Sequence, residues 1–218
     1  MIKVAEKKTR EKAPRRTESK EVRRAQLIDA TITSISKHGI GGTTMSTVTE
    51  IAGLSIGIVN FHFQSKHNLF EETLVHLAHE HHDKWLNAYR DAGLGSVEKL
   101  SAIVAAHFHP SICTRKKLSV WFAFYGEAGR RAIYRSLLDD IDVERFDLSV
   151  HLLQSIIEDG GYKVPPAEKI ALTLEGLYDG LCLNILMYPD VFSRKTAEAQ
   201  IFAYLASLFP NHFDRPVF

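Results

Sequence analysis

Apolar residues in this chain recur at three- and four-residue steps along nearly its whole length, and no segment shows the strict alternation of a strand. That period belongs to the α-helix, where positions i, i+3 and i+4 share a face. Val22, Ala25, Leu27, Ile28, Ile32 and Ile35 predict a helix over 19–37, ended by Gly39. Thr44 heads a second, short helix with Val48, Ile51 and Ala52 on its inner face, broken at Gly53. Ser55 caps a third, to about Phe61. Ser65 opens a much longer one to about Ala92, with Leu69, Leu74, Leu77, Ala78, Trp85, Leu86 and Tyr89 as its stripe. Further helices are expected over 96–109, 114–127, 130–159, 165–188 and 193–209, bounded by Pro110, Gly129, Gly160-Gly161, Pro165-Pro166, Pro189 and Pro210. One junction stays open: the helix ending near Gly126 could run on into the one starting near Arg131. About nine helices with short connections predict an all-α protein, divided into a flexible arm (1–18), a first domain (19–70) and a larger second domain (71–218).

A hydrophobic content of 45% marks a globular chain. No apolar run reaches the ~20 residues that span a bilayer. The charged N-terminus carries no apolar signal segment. A cytoplasmic protein with no membrane partner is therefore expected. Cys113 and Cys182 lie far apart in apolar segments and read as buried free thiols. The overall charge of +1 hides an asymmetry, since residues 1–24 hold ten Lys/Arg and four Glu. A basic end on a mildly acidic body suits contact with a polyanion, and a merely solvated tail is the alternative. There is no Gly-rich phosphate loop, no G-x-S-x-G, no H-E-x-x-H and no paired-Cys motif, so neither an enzyme nor a cofactor is expected. His79, His82 and Asp83 share a helix face at a spacing that would suit a divalent metal. A polar face on a long helix explains them without one, and no metal is assigned. His107 and His109 are two apart, on different faces, and receive no ligand role.

The stretch from Thr44 to Phe61 has the proportions of a helix-turn-helix, in which the first helix crosses the DNA backbone and the second lies in the major groove. Ser55, Ile56, Gly57, Asn60 and Phe61 would be exposed on the second helix. Gly57 permits close approach, Asn60 suits a base edge or phosphate, and Ile56 and Phe61 suit a thymine methyl or sugar. Thr44, Ser46, His62 and Lys66 would hold phosphates, aided by helix N-termini.

Ile51-Ala52-Gly53-Leu54-Ser55, Gly57, Phe61-His62-Phe63, Lys66 and Leu69 fall in order and in register, and over residues 20–75 the chain resembles the TetR family. The resemblance implies a dimeric repressor on a double-stranded DNA operator, with a helical ligand-sensing domain behind the DNA-binding one. Where that family usually carries a phosphate-contacting Tyr, this chain has His62, whose hold on phosphate would strengthen on protonation. Asn60 stands where an aromatic residue is common. Family members also use residues ahead of the first helix, which makes Arg15, Arg16, Lys20, Arg23 and Arg24 candidates; the last two could instead lie on a solvated helix face.

In the second domain, Trp121, Phe124 and Tyr125 would share a face of one helix, and Glu175 and Asp179 a face of another, with Tyr178 and Cys182 nearby. Rings beside carboxylates suit an organic cation; simple core filling is the alternative. Trp85 and Tyr89 of the long helix join these as candidate ligand contacts. The aromatic segment, Tyr134-Arg135 and the L-Y-D-G-L motif are similar in patches to the BetI-type, choline-responsive branch of the family, which represses glycine-betaine synthesis. That similarity implies choline or a related cationic or small ligand as effector; a regulator of another pathway responding to an unrelated, neutral ligand is the alternative. The family also implies a homodimer through the last two helices, 165–188 and 193–209, with Leu183, Leu186, Ile201, Tyr204, Leu205 and Leu208 as apolar surface. The expected mechanism holds two recognition helices about one DNA turn (~34 Å) apart. Ligand near Trp121 and Asp179 would then shift the helix over 65–92 and pivot them.

Overall fold

A computed structural model describes residues 19–127 and 129–216. Among them are nine helices and no strand: α1 (Lys20–Gly42), α2 (Met45–Ala52), α3 (Ile56–Phe63), α4 (Lys66–Asp91), α5 (Ser96–His107), α6 (Arg115–Gly126), α7 (Arg131–Gly160), α8 (Ala167–Met187) and α9 (Arg194–Leu208). The expected all-α architecture is what the chain adopts.

Local chemistry sets most boundaries. The Ser19, Thr44, Ser65, Thr114 and Ser193 side chains each accept a backbone N–H at the start of a helix, satisfying donors that the first turn leaves unpaired. Ser55 occupies the same position before α3 but makes no such bond, so its hydroxyl stays free. Gly39 does break α1, as expected, but as a kink (φ 68, ψ 176) after which helical turns continue to Gly42. The chain also breaks between α6 and α7, which settles the open junction.

The buried side chains form two clusters. The first joins Leu27, Ile32 and Ile35 of α1 to Val48 of α2, Val59 and Phe63 of α3, and Leu69 and Leu74 of α4. It reaches beyond these helices, taking in Val120 and Phe124 of α6 and Tyr134 and Leu138 of α7. The second cluster joins Trp85 of α4 and Leu118 of α6 to side chains of α5, α7, α8 and α9, among them Leu100, Ile156, Leu174 and Ile201. Each fully buried aliphatic or aromatic side chain contributes about 1.5–3 kcal/mol relative to exposure. Helices α4 and α6 thus have residues in both cores, and movement of either would be felt on both sides.

Helix α8 is long and apolar enough, by length and composition, to cross a membrane. It nevertheless carries Glu168, Lys169, Glu175 and Asp179, and it buries Ile170, Leu174, Leu181 and Ile185 in the second core. Its outer side exposes Leu172, Leu183 and Met187. Of the residues expected at a dimer surface, Leu183 is exposed (42%), whereas Ile201 and Leu205 are fully buried within the protomer. Their period on α9 is that of an inward face, which periodicity alone cannot distinguish from an intersubunit one.

Candidate functional site

The two short helices α2 and α3 are held by a left-handed turn at Gly53 (φ 64, ψ 32), a backbone conformation that costs glycine little. Thr44 and Thr47 cap α2 reciprocally: Thr44 Oγ1 accepts from Thr47 N at 3.1 Å, and Thr47 Oγ1 accepts from Thr44 N at 2.9 Å. Val59 and Phe63 anchor α3 in the first core. Ile58 and His62 are half-buried beside them, and the remaining residues of that helix face outward. Ser55, Gly57 and Asn60 are exposed, Ile56 is 50% exposed and Phe61 70%. Two large apolar side chains displayed on so short a helix mark a contact surface. Thr44 and Ser46 are also exposed, and Lys20 lies at the same end, its Nζ 6.0 Å from the Phe61 ring.

Two candidates are less free than expected. The Lys66 amine donates to Ile40 O at 3.4 Å and lies over the Phe70 ring, so it ties α4 to the end of α1. His62 is half-buried between Phe61 and Phe63, with its Nδ1 sealed and unpartnered. Arg24 donates to His62 O, covers the Phe63 ring and pairs with Glu72 at 2.5 Å, which makes it a structural clamp. Arg23 donates to Gln26 at 2.9 Å. Arg15 and Arg16 lie outside the described residues.

The second feature is a cavity of about 360 Å³ among α4, the end of α5, the segment before α6, α6, α7 and α8. Trp121, Tyr125, Glu175, Tyr178 and Asp179 line it, as the sequence suggested. Phe124, Trp85 and Tyr89 do not. Phe124 turns to the opposite side of α6, edge-on to Phe70 at 6.2 Å and to Tyr134 at 5.1 Å. Trp85 is wholly buried in the second core with its Nε1 unpartnered, and Tyr89 stacks under the Lys99 amine. Phe122, one residue from Trp121, takes the place expected of Phe124.

The cavity's charge is lopsided. Asp139, Asp142, Glu175 and Asp179 face a single cation, Arg145. Arg145 is buried (7% exposed) and forks onto Glu175, with Nε 3.3 Å from Oε1 and Nη2 on Oε2. Asp142 lies 3.9 Å from the same guanidinium. Asp179 has no hydrogen bond or ion pair among the described residues. Burial pushes the Asp142 carboxyl above the usual carboxylate range; Arg145 opposes this, while Glu175 and Asp139 add to it. Asp179 is raised in the same way, by burial and then by Glu175. A positive ligand would relieve both groups. Trp121 and Tyr125, 6.0 Å apart, and Phe122 supply ring faces beside them.

Several cavity residues were not singled out as ligands. Arg145 and Asp142 sit in an undistinguished charged stretch, and only the fold turns them inward. His81 Nε2 meets His107 Nδ1 at 3.2 Å, and His107 stacks on Tyr178 with centroids 4.2 Å apart. Cys113 and Cys182 are free, buried thiols on the cavity wall. Of the face shared by His79, His82 and Asp83, His82 bonds Glu144 at 2.7 Å and lies 3.5 Å from Asp83, His79 is exposed, and no three His, Cys, Asp or Glu side chains among the described residues group as metal ligands.

A helix-turn-helix with an apolar, outward-facing second helix, joined through α4 and α6 to a domain with a partly open, carboxylate-bearing cavity, defines a ligand-responsive DNA-binding regulator. Comparison with known proteins agrees. Residues 27–73 match the model of the bacterial regulatory proteins of the tetR family, and residues 96–210 that of the BetI-type transcriptional repressor C-terminal domain. The HTH-type transcriptional regulator BetI of Burkholderia mallei is 36% identical over 183 residues, covering 82% of this chain and 89% of its own. A transcriptional regulator from Pseudomonas aeruginosa PAO1 superposes with a TM-score of 0.77 at 28% identity, covering 90% of this chain and 95% of its own. A Saccharomonospora viridis regulator, solved in complex with choline, shares the fold at a TM-score of 0.74 and 19% identity, covering 86% of this chain and 96% of its own. The chain belongs to the TetR family of transcriptional repressors, with a BetI-type C-terminal domain.

Proposed function

We propose that this repressor releases its operator when an organic cation, with choline the first to try, enters the cavity between Trp121, Tyr125, Asp142 and Asp179. The observation that carries this reading is the cavity's excess of carboxylate over cation. Arg145 forks onto Glu175 and reaches Asp142 only at 3.9 Å, so one guanidinium serves four carboxylates and Asp179 is left without an ion pair among the described residues, beside aromatic faces. The S. viridis regulator, which shares the fold and was solved in complex with choline, supports the choice of first ligand.

Ser55, Ile56, Gly57, Asn60 and Phe61 would enter the major groove, with Lys20, Thr44 and Ser46 on flanking phosphates, and with His62 and Lys66 shaping the surface. The domain boundary near residue 70 is functional rather than a gap in packing. The dimer would form through α8 and α9, using the exposed Leu172, Leu183 and Met187 of α8 with Leu186, Tyr204 and Leu208. The relay is helix α6. Trp121 and Tyr125 face the cavity, while Val120 and Phe124 pack with α1 and α4 in the DNA-domain core, and Ser119 Oγ donates to Ser36 Oγ of α1 at 3.0 Å. Helix α4 supports it, because Ala78 and His81 line the cavity one or two turns beyond Leu74 in that core. Effector would have to prefer the spread arrangement of the two domains, since equal affinity for both shifts nothing.

The test is a melting and operator-binding series with choline, other quaternary amines and neutral controls. Choline-type cations should raise the melting midpoint and weaken operator binding, and Trp121→Ala or Asp179→Asn should abolish both effects. A response to neutral molecules alone would rule the cation out and leave the repressor assignment intact.

A further inference from the structure

The innermost part of the cavity is built differently from its acidic mouth. His81 of α4 and His107 of α5 meet there, Nε2 to Nδ1 at 3.2 Å, with Phe108 edge-on to His107 at 5.3 Å and Tyr178 stacked against it. Burial, with Arg145 and His82 nearby, holds His81 down to about 3; burial, His81 and Arg145 hold His107 well below its ordinary value. Both rings are therefore neutral under ordinary conditions.

A neutral imidazole has one N–H and one bare nitrogen. Either tautomer pair uses one of each in the contact between the rings. If His81 donates, its Nδ1 is left as an acceptor and His107 Nε2 as a donor. If His107 donates, the roles exchange. In both cases exactly one donor and one acceptor remain on the outer nitrogens. Neither outer nitrogen has a partner among the described residues, and neither is among the sealed, unpartnered atoms. Both are therefore accessible from the cavity, and a donor and an acceptor there must be met by a ligand or by water.

We infer that His81 and His107 recognise a hydroxyl group on the effector, so that the repressor selects organic cations with a hydroxylated end over cations that are alkyl throughout. This rests on the cation reading above and adds the chemistry of the opposite end. A hydroxyl both donates and accepts, and so matches the pair in either tautomer state. A second ammonium does not, because it would lie beside two neutral imidazoles and the Arg145 guanidinium.

The experiment is calorimetric titration of the purified repressor with choline, with propyltrimethylammonium (a methyl in place of the hydroxyl) and with butane-1,4-diamine. The native protein should bind choline about five- to tenfold more tightly than propyltrimethylammonium, the worth of one matched hydrogen bond, and the diamine more weakly than choline. In His81→Phe and His107→Phe the preference should shrink to about twofold or less, with propyltrimethylammonium affinity retained; His107→Gln, which keeps a donor and an acceptor, should restore part of it. Equal binding of the two monocations by the native protein overturns the inference while leaving the cation reading standing. A preference that survives both Phe variants overturns it as well. If no cation binds, the cation reading itself fails and this one with it. The native comparison needs no variant to fold.

Discussion

At the scale of single residues, the molecule carries its strain and its unpaired charge in separate places. Gly39 adopts φ 68 and ψ 176, a region closed to side chains, yet a Cβ there would meet nothing within 4 Å. The cost of Gly39→Ala is therefore conformational and not steric, about 1–3 kcal/mol. It should lower the melting midpoint by several degrees; an unchanged midpoint would mean that the kink can shift to a neighbouring residue. Asp142 and Asp179 behave in the opposite way. Their folded carboxyls sit above the unfolded value, so the folded state holds protons that the unfolded state has lost, and each group costs stability once ionised. That cost is complete above the folded pKa and vanishes below the unfolded one. Asp179→Asn should accordingly stabilise the free protein near neutral pH, by on the order of 0.5 kcal/mol after solvent screening, while removing its response to cations. Thermal melts with and without choline read both effects. A destabilised variant would mean that Asp179 has a favourable partner in the protein.

At the scale of elements, helices were the legible part of the sequence, and the directions their faces take were not. Caps such as Thr44, Ser65 and Ser193, and breaks such as Gly53 and Gly161, act within a few residues, so they can be read from the chain alone. Helix α6 shows the limit. Its residues 118–125 are apolar apart from Ser119, because the helix is packed on two sides. Periodicity groups Phe124 with Trp121, but the fold puts Phe124 against α1 and α4 and gives the cavity Phe122 instead. Arg145 and His107 were obscured for a related reason: their roles come from partners 30 and 26 residues away. The relay reading of α6 makes a prediction of its own. Phe124→Leu thins the contact with Phe70 and Tyr134 without touching the cavity, and should cost about 1–2 kcal/mol of stability. Choline should then still raise the melting midpoint, but release from the operator should be blunted, as fluorescence anisotropy on labelled DNA would report. Loss of both responses together would place the relay elsewhere.

At the scale of the whole molecule, TetR-family repressors act as dimers, and the exposed α8 surface and the buried imidazoles of this chain each carry a prediction. Leu183→Glu puts a charge on the proposed intersubunit face without entering the protomer core. It should yield a folded monomer by light scattering and weaken operator binding, because one short recognition helix buries too little surface alone. A dimer that persists would move the interface off α8. The acid response concerns the fold itself. His81 and His107 stay neutral in the folded protein, whereas unfolded histidine takes up a proton as pH falls through its ordinary value of 6.5. Below that value the unfolded chain binds protons that the folded chain refuses, so stability is full above about pH 6.5 and is lost progressively as pH falls towards about 3, where His81 would be protonated in place. Each buried ring contributes a slope of up to about 1.4 kcal/mol per pH unit, the full linkage value for one proton. Effector affinity declines over the lower part of the same range, because the raised carboxyls of Asp142 and Asp179 are protonated early. Melting curves from about pH 8 to about pH 5 should therefore show a falling midpoint that His81→Phe combined with His107→Phe flattens. A slope unaffected by removing both rings would mean that the pair exchanges protons with water through the open cavity, and that acid sensitivity arises at other sites.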